Sequence, residues 1–277
     1  MAREAAAGRH AGPLKAVILD WAGTVVDYGS CAPAGVFVEV FARHGVPITM
    51  AQARAPMGSE KRAHIAAIAA TPEVAEAWQR EHGGPCTEDD IDSMYREFIP
   101  LQIESLPRFA DLIPGTTEAV AEFRKRGLKI GTTTGYNAEM MRVLAAEASR
   151  RGFEPDCIVS SDMVPEGRPA PWMALKAAAL MRVYPMSAIV KVGDTIPDIL
   201  EGLNAGMWTV AVAGTGNEMG LSQTEYDSLP AIDREQRLDS AYERLRDAGA
   251  HYVIDSIANV PPVLDEIEAR LVKGERP

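Results

Sequence analysis

Two aspartates and a threonine in this 277-residue chain stand where short apolar runs stop: "AVILD" (16–20) ends in Asp20, "LKIGTTT" (128–134) in Thr134 and "AIVKVGD" (188–194) in Asp194. Thr24 follows the first in "DWAGT", and Asp198 follows the last in "GDTIPD". Each alone has an ordinary use as a helix cap or turn residue. Together they describe a site. Two carboxylates at one edge attract a hard divalent cation, Mg2+ in the first instance, which takes oxygen ligands and leaves positions for a substrate phosphate. The cation relieves repulsion between carboxylate and phosphoryl oxygens, so Asp20 can attack phosphorus and form an aspartyl phosphate. Thr24 and Thr134 offer hydroxyl donors, and the backbone N–H groups of "GTTTGY", ahead of a helix starting near Asn137, offer a phosphate cradle. Arg168, in the loop "VPEGRPAPW", is a candidate phosphate clamp, with a solvated loop arginine as the plain alternative.

These groups meet only if their strands run parallel in one sheet, because an open parallel sheet binds ligands beyond the carboxyl ends of its strands. The three runs, with "CIVS" (157–160) and "WTVAVAG" (208–214), are short and almost wholly apolar, as strands covered on both faces should be. Between them "TTEAVAEFRKRG", "NAEMMRVLAAEASRRG", "PWMALKAAALMR" and "TIPDILEGLNAG" carry apolar residues at helical spacing. Two further helices, in "DREQRLDSAYERLRDAGAHYVID" and "PPVLDEIEARLVKG", flank a short edge strand, and 214–231 reads as a long loop with one helical turn. Residues 28–107 break the alternation, reading as helix after helix without a buried strand. The pattern predicts an α/β fold: a doubly wound, Rossmann-like parallel sheet from 1–27 and 108–277, with an all-helical cap (28–107) inserted after the first strand.

Composition narrows the partners. Hydrophobic content of 47% and charged content of 24% are those of a globular chain long enough to bury a full core. A net charge of -11 argues against nucleic acid or an anionic membrane as partner, and leaves room for a small anionic substrate in a locally basic pocket. No apolar run reaches the ~18 residues of a membrane span. "MAREAAAGRHAGPLK" lacks the apolar stretch of a signal peptide and reads as a frayed tail. Cys31, Cys86 and Cys157 are spaced neither as a disulfide framework nor as a zinc site, so the expectation is a reduced, cytoplasmic protein.

The order Asp20-x-x-x-Thr24, Thr134, Arg168, then Gly193-Asp194-Thr-x-x-Asp198 resembles the four motifs of the haloacid dehalogenase superfamily. The resemblance implies Asp20 as nucleophile and as metal ligand, Asp194 and the Ala22 backbone carbonyl as the other ligands of Mg2+, Thr134 and Arg168 on phosphate, and Asp198 in support. A lysine is common where Arg168 stands. Phosphatases of that superfamily place a second aspartate two residues after the nucleophile to protonate an alkoxide leaving group. Here that position is Ala22. The enzyme is dead, or its leaving group needs no acid, or the acid comes from elsewhere.

The cap bears on that choice. "ARAPMGSEKRAHIAAI" places Lys61 just past a Pro-Met-Gly turn in the first turn of a helix, with His64 three residues on along the same face. A solvated lysine is the ordinary reading. The alternative is a lysine whose pKa is lowered on closure and which condenses with a carbonyl to form a Schiff base. Such an imine accepts electrons, so a carbon could leave phosphorus as an enamine, and no alkoxide-protonating acid would be needed. The segments "DWAGTVVDYGS", "ARAPMGSEKRAH", "GTTTGYNAEMM", "GRPAPWM" and "VGDTIPDILEGLNAGMWTV" resemble the phosphonatase family within that superfamily. That resemblance, from about Lys15 to the last helix, implies C–P bond hydrolysis of phosphonoacetaldehyde with Mg2+, Lys61 as the Schiff-base residue and a homodimer through the caps. It implies that Met57 and Gly58 shape the turn presenting Lys61, and makes His64 and Tyr136 candidates for proton handling. Ser30 takes a place where some members carry cysteine, with Cys31 beside it, and no thiol role is assigned. Trp21 and Trp172 could wall the site or pack in the core. The alternatives are a phosphomonoesterase or phosphomutase of the same superfamily and a catalytically silent phosphate-binding module.

Overall fold

The computed structural model describes residues 12–277, so most of the stretch read as a frayed tail, residues 1–11, lies outside the described residues. Six strands, β1 (Ala16–Leu19), β2 (Lys129–Thr134), β3 (Cys157–Ser160), β4 (Ile189–Gly193), β5 (Trp208–Val212) and β6 (Tyr252–Ile254), form one sheet in the order β3-β2-β1-β4-β5-β6. Every neighbouring pair is parallel. The apolar runs that marked the strands are explained by burial on both faces. Val17 and Leu19 belong to one apolar cluster while Ala16 and Ile18 belong to another, which is the alternation of a strand with two covered sides. Leu19 pairs with Thr132 of β2 and with Val192 of β4, so the strand order reverses direction on either side of β1. That reversal opens a crevice at the carboxyl edge, where Asp20 follows β1 and Asp194 follows β4.

Within residues 28–107 the chain forms five α-helices: α1 (Cys31–Arg43), α2 (Met50–Arg54), α3 (Lys61–Ala69), α4 (Pro72–His82) and α5 (Glu88–Ser105). Their starts are locally specified. Thr49 and Thr87 make capping boxes with Gln52 and Asp90, and the Glu60 carboxylate accepts from the Arg62 and Ala63 N–H groups at 2.9 Å to begin α3. Their inner faces carry Phe37, Phe41, Ile65, Trp78, Met94 and Phe98, which join the same apolar cluster as Val17, Leu19 and Trp21. Each such fully buried phenylalanine contributes roughly 1.5–3 kcal/mol, enough to seat the helical block on the sheet.

The sheet is flanked by α6 (Thr116–Lys125), α7 (Ala138–Arg150), α8 (Trp172–Met181), α9 (Ile196–Asn204), α10 (Gln223–Ser228), α11 (Ala231–Asp247) and α12 (Val260–Val272). The helical turn expected in 214–231 is α10, with a capping box from Ser222 and Glu225. No helix among the described residues is long and apolar enough to cross a membrane.

Candidate active site

At the carboxyl edge of β1, β2 and β4 a narrow, partly open cavity of about 20 Å3, room for a single water, is lined from below by Asp20, Ala22, Thr134, Arg168 and Asp194. Lys61 lines it from α3 above, with Met57, Gly58 and Tyr136 beside it. Glycines make this close approach possible. Gly58 has φ +93°, and a Cβ there would overlap Thr195 Oγ1; a Cβ on Gly135 would overlap the Ser59 carbonyl. Gly23, at φ +82°, leaves the same kind of room for the Asp194 carboxylate.

Beneath the cavity lies a buried charge network. Arg168 has every guanidinium nitrogen engaged: Nη2 on Asp20 Oδ1 (2.8 Å) and the Thr133 carbonyl (2.8 Å), Nη1 on Asp198 Oδ1 (2.9 Å), Nε on Glu201 Oε2 (3.0 Å). Lys191, inside β4, pairs with Asp198 Oδ1 at 2.6 Å and Glu201 Oε2 at 3.4 Å. Burial works against a charge on Asp198, but Arg168 and Lys191 outweigh it and hold the carboxyl below its usual range. Asp194 is placed otherwise. It accepts from the Asn217 N–H at 2.8 Å and meets the Thr24 hydroxyl at 3.5 Å, with no cation within ion-pair distance among the described residues. Burial first, then Asp20 and Asp198, push its carboxyl well above the ordinary range. Four buried carboxylates (Asp20, Asp194, Asp198, Glu201) thus cluster around two buried cations, Arg168 and Lys191, and Asp194 is the one of the four without a cation within ion-pair distance among the described residues.

Lys61 is 4% exposed, makes no ion pair among the described residues, and holds its Nζ 4.9 Å from the Tyr136 ring centroid and 5.8 Å from that of Phe37. Burial lowers its pKa to about 8, with Asp20 and Glu60 opposing the shift. A buried amine that is partly neutral near physiological pH, lining one narrow cavity with a carboxylate, is equipped for covalent chemistry at a carbonyl.

The chain can be placed among known proteins. The profile of the haloacid dehalogenase-like hydrolases matches residues 14–206. A phosphonoacetaldehyde hydrolase of Nitratidesulfovibrio vulgaris is 48% identical over 96% of this chain and 95% of its own length. One from Syntrophobacter fumaroxidans is 46% identical over 97% of each chain. The crystal structure of a phosphonoacetaldehyde hydrolase-like protein from Oleispira antarctica superposes with a TM-score of 0.94 at 41% identity, covering 99% of both chains. The chain belongs to the phosphonoacetaldehyde hydrolase family of haloacid dehalogenase-like hydrolases. Other solved structures, such as a β-phosphoglucomutase of Clostridium difficile (TM-score 0.65, 14% identity), share only the fold.

Within this family member, the residues singled out in the sequence fall into two groups. Asp20, Ala22, Met57, Gly58, Lys61, Thr134, Tyr136, Arg168 and Asp194 line the cavity. Thr24, His64 and Asp198 do not. Thr24 is buried with its hydroxyl toward Asp194, and Asp198 is bonded to Lys191, Arg168 and Thr195. His64 stacks on Phe37 at 3.8 Å between ring centroids and donates Nε2–H to the Ala53 carbonyl at 2.8 Å; burial and then Lys61 lower its pKa to about 3. It is a neutral packing residue here. The loop-arginine alternative for Arg168 is excluded by its burial, and its role as a free clamp is narrowed, because its donors are already held by protein. The expected N–H cradle narrows too, since the Tyr136 N–H is taken by Thr134 Oγ1 and the Ala138 N–H by Asp162. Neither tryptophan lines the cavity: Trp21 packs edge-on to Phe153, and Trp172 is 47% exposed. Ser30 lines it, while Cys31 does not, and Cys31, Cys86 and Cys157 are all unpaired.

Sequence reasoning missed Lys191, Glu201, Asp27, Arg54 and Asn217. A signal existed for the first two, a lysine inside a buried strand followed by Asp198 and Glu201 one helical turn apart. Asp27, at φ +55°, accepts from the Cys31 and Ala32 N–H groups at 3.0 Å and so fixes the start of α1; burial raises its pKa to about 7.

Oxygen ligands of Asp20, Asp194 and Asp198 all lie within 4.8 Å of one another, an all-oxygen set suited to a hard divalent cation. Asp198 is spent on Lys191 and Arg168, which leaves Asp20 and Asp194, with Ala22 on the same cavity wall, as the residues that fit such an ion.

Proposed function

We propose that this chain cleaves the C–P bond of phosphonoacetaldehyde, giving acetaldehyde and phosphate. The observation that carries this reading is the buried Lys61, without an ion pair among the described residues, facing Asp20 across one cavity, with Ala22 where an acid for an oxygen leaving group would stand. The neutral amine of Lys61 adds to the aldehyde and loses water, forming an imine on Nζ. Asp20 then attacks phosphorus, and the electron pair of the C–P bond moves into the protonated imine to give an enamine. Arg168 holds the Asp20 carboxylate at 2.8 Å and keeps it oriented for that attack. Protonation of the enamine at carbon and hydrolysis of the imine release acetaldehyde, and water cleaves the aspartyl phosphate. No carboxylic acid is needed, because the departing group is a carbon stabilised by nitrogen.

Mg2+, held by Asp20, Asp194 and the Ala22 carbonyl, would supply positive charge beside the phosphoryl oxygens. Residues 28–107 act as a cap whose movement admits substrate, since the cavity holds about one water. A homodimer through the caps and a cytoplasmic setting belong to the same reading, and sedimentation of the purified chain tests the dimer. The decisive assay follows acetaldehyde and phosphate release from phosphonoacetaldehyde, with and without Mg2+, and traps substrate on Lys61 with borohydride. Equimolar products and a reduced adduct on Lys61 are expected. An active enzyme that yields no adduct, or a Lys61→Ala variant that still turns over, overturns the Schiff-base route.

A further inference from the structure

Arg54, the last residue of α2, touches at once the linker that joins β1 to α1, at Gly29 and Ser30, and the loop that follows β5, at Asn217. Its Nη1 donates to the Gly29 carbonyl at 2.7 Å, the Ser30 carbonyl at 3.3 Å and Asn217 Oδ1 at 3.2 Å. Asn217 reciprocates, its Nδ2 donating to the Arg54 carbonyl at 3.4 Å. The backbone N–H of the same Asn217 donates to Asp194 Oδ2 at 2.8 Å. Two hydrogen bonds therefore connect a helix of the inserted block to the one site carboxylate that has no cationic partner among the described residues.

The surroundings make this connection stiff. Gly220, at φ +60°, lies so close that a Cβ would stand 2.9 Å from Arg54 Nε, and a Cβ on Gly216 would press against Asp194 Cβ. Asn217 itself is 8% exposed. The loop carrying Asn217 cannot swing without disturbing either Arg54 on one side or Asp194 on the other.

We propose that Arg54 is a positioning residue that couples seating of the helical cap to the orientation of Asp194, acting through Asn217. With the cap seated, the guanidinium ties the linker carbonyls to Asn217, and the Asn217 N–H fixes Asp194 Oδ2. Asp194 Oδ1, which meets the Thr24 hydroxyl at 3.5 Å and has no cation within ion-pair distance among the described residues, is left to face a cation. When the cap lifts, Asn217 loses this tie, and the carboxylate loses its fixed orientation. The inference rests on the reading of Asp194 as a Mg2+ ligand and of α2 as part of the cap.

The test is calorimetric titration of Mg2+ into the wild-type chain, Arg54→Ala, Asn217→Ala and the double variant. Asn217→Ala keeps the backbone N–H, so it cuts the same link as Arg54→Ala without removing the bond to Asp194. Each single variant should weaken Mg2+ binding by about tenfold, as loss of an outer support does, and the double variant by about the same factor rather than a hundredfold. Arg54→Lys, whose shorter side chain does not bring its nitrogen to the position of Nη1, should recover only part of the loss. Unchanged affinity in both single variants, or losses that multiply in the double, overturns the proposal. If Arg54→Ala does not fold by circular dichroism, Arg54→Gln takes its place in the cycle. Asp194→Asn separates the two readings: wild-type affinity there refutes the cation site and this inference with it. Lost affinity there, with the Arg54 and Asn217 variants unaffected, refutes the coupling alone.

Discussion

Raising the pH through about 8 should convert Lys61 from an inert ammonium into a nucleophile. Burial lowers its pKa to about 8 from an ordinary 10.5, against the opposing pull of Asp20 and Glu60. At pH 7 about one Lys61 side chain in eleven is then the free amine, against about one in three thousand at the ordinary value, a gain of roughly 300-fold. The difference corresponds to roughly 3 kcal/mol, supplied by removing the ammonium from water. The neutral form reacts, so the rate falls as pH drops below 8 and levels off above it. Single-turnover trapping of phosphonoacetaldehyde on Lys61 by cyanoborohydride, from pH 6 to 10, measures this. The rate should rise about tenfold per pH unit and bend near 8. A bend at 10 or above, or a flat profile between 6 and 9, refutes the reasoning. Stability gives a second readout of the opposite sign. The cost of burying the ammonium is full below pH 8 and vanishes above 10.5, so Lys61→Met should stabilise the fold most at neutral pH, and progressively less between those limits.

Gly58→Ala should preserve secondary structure yet lower kcat/KM by about a hundredfold, because a Cβ at φ +93° meets Thr195 and displaces Lys61; steady-state kinetics with circular dichroism checks it. Lys191→Met should destabilise the fold by about 3–5 kcal/mol in urea unfolding, since it strands Asp198 and Glu201 with one buried cation between them. Ala22→Asp should cut C–P cleavage by at least about tenfold, because a fifth carboxylate joins four that already face two buried cations; phosphate release from phosphonoacetaldehyde measures it.

Much of the fold was legible because its signals are local. A strand buried on both faces is mostly apolar, which is why β1, β4 and β5 lie within a residue or two of their apolar runs, even with Lys191 inside β4. Helix starts are locally specified too, as the Ser222–Glu225 capping box of α10 shows, although residues 214–231 read from the sequence only as a long loop with one helical turn. Strand-end position was equally legible, and it put Asp20, Thr134 and Asp194 on one edge before any contact was known. His64 illustrates the limit. The helical spacing placed it on one face with Lys61, but that face is shared by the cavity and by Phe37, and only packing distinguishes them.

The sequence by itself determined the layered fold and set Asp20, Thr134 and Asp194 at strand ends, since both follow from residue type and short spacing, whereas the role expected of Lys61 came from the family resemblance. Tertiary structure alone decided which charge meets which. Arg168 finds Asp20 and Glu201, and Arg54 finds Asn217, across long stretches of chain, and such partners emerge only when the sheet closes and water is excluded. The same exclusion lowers the pKa of Lys61 to about 8 and leaves Asp194 in want of a cation, neither of which is written in the type or spacing of any residue.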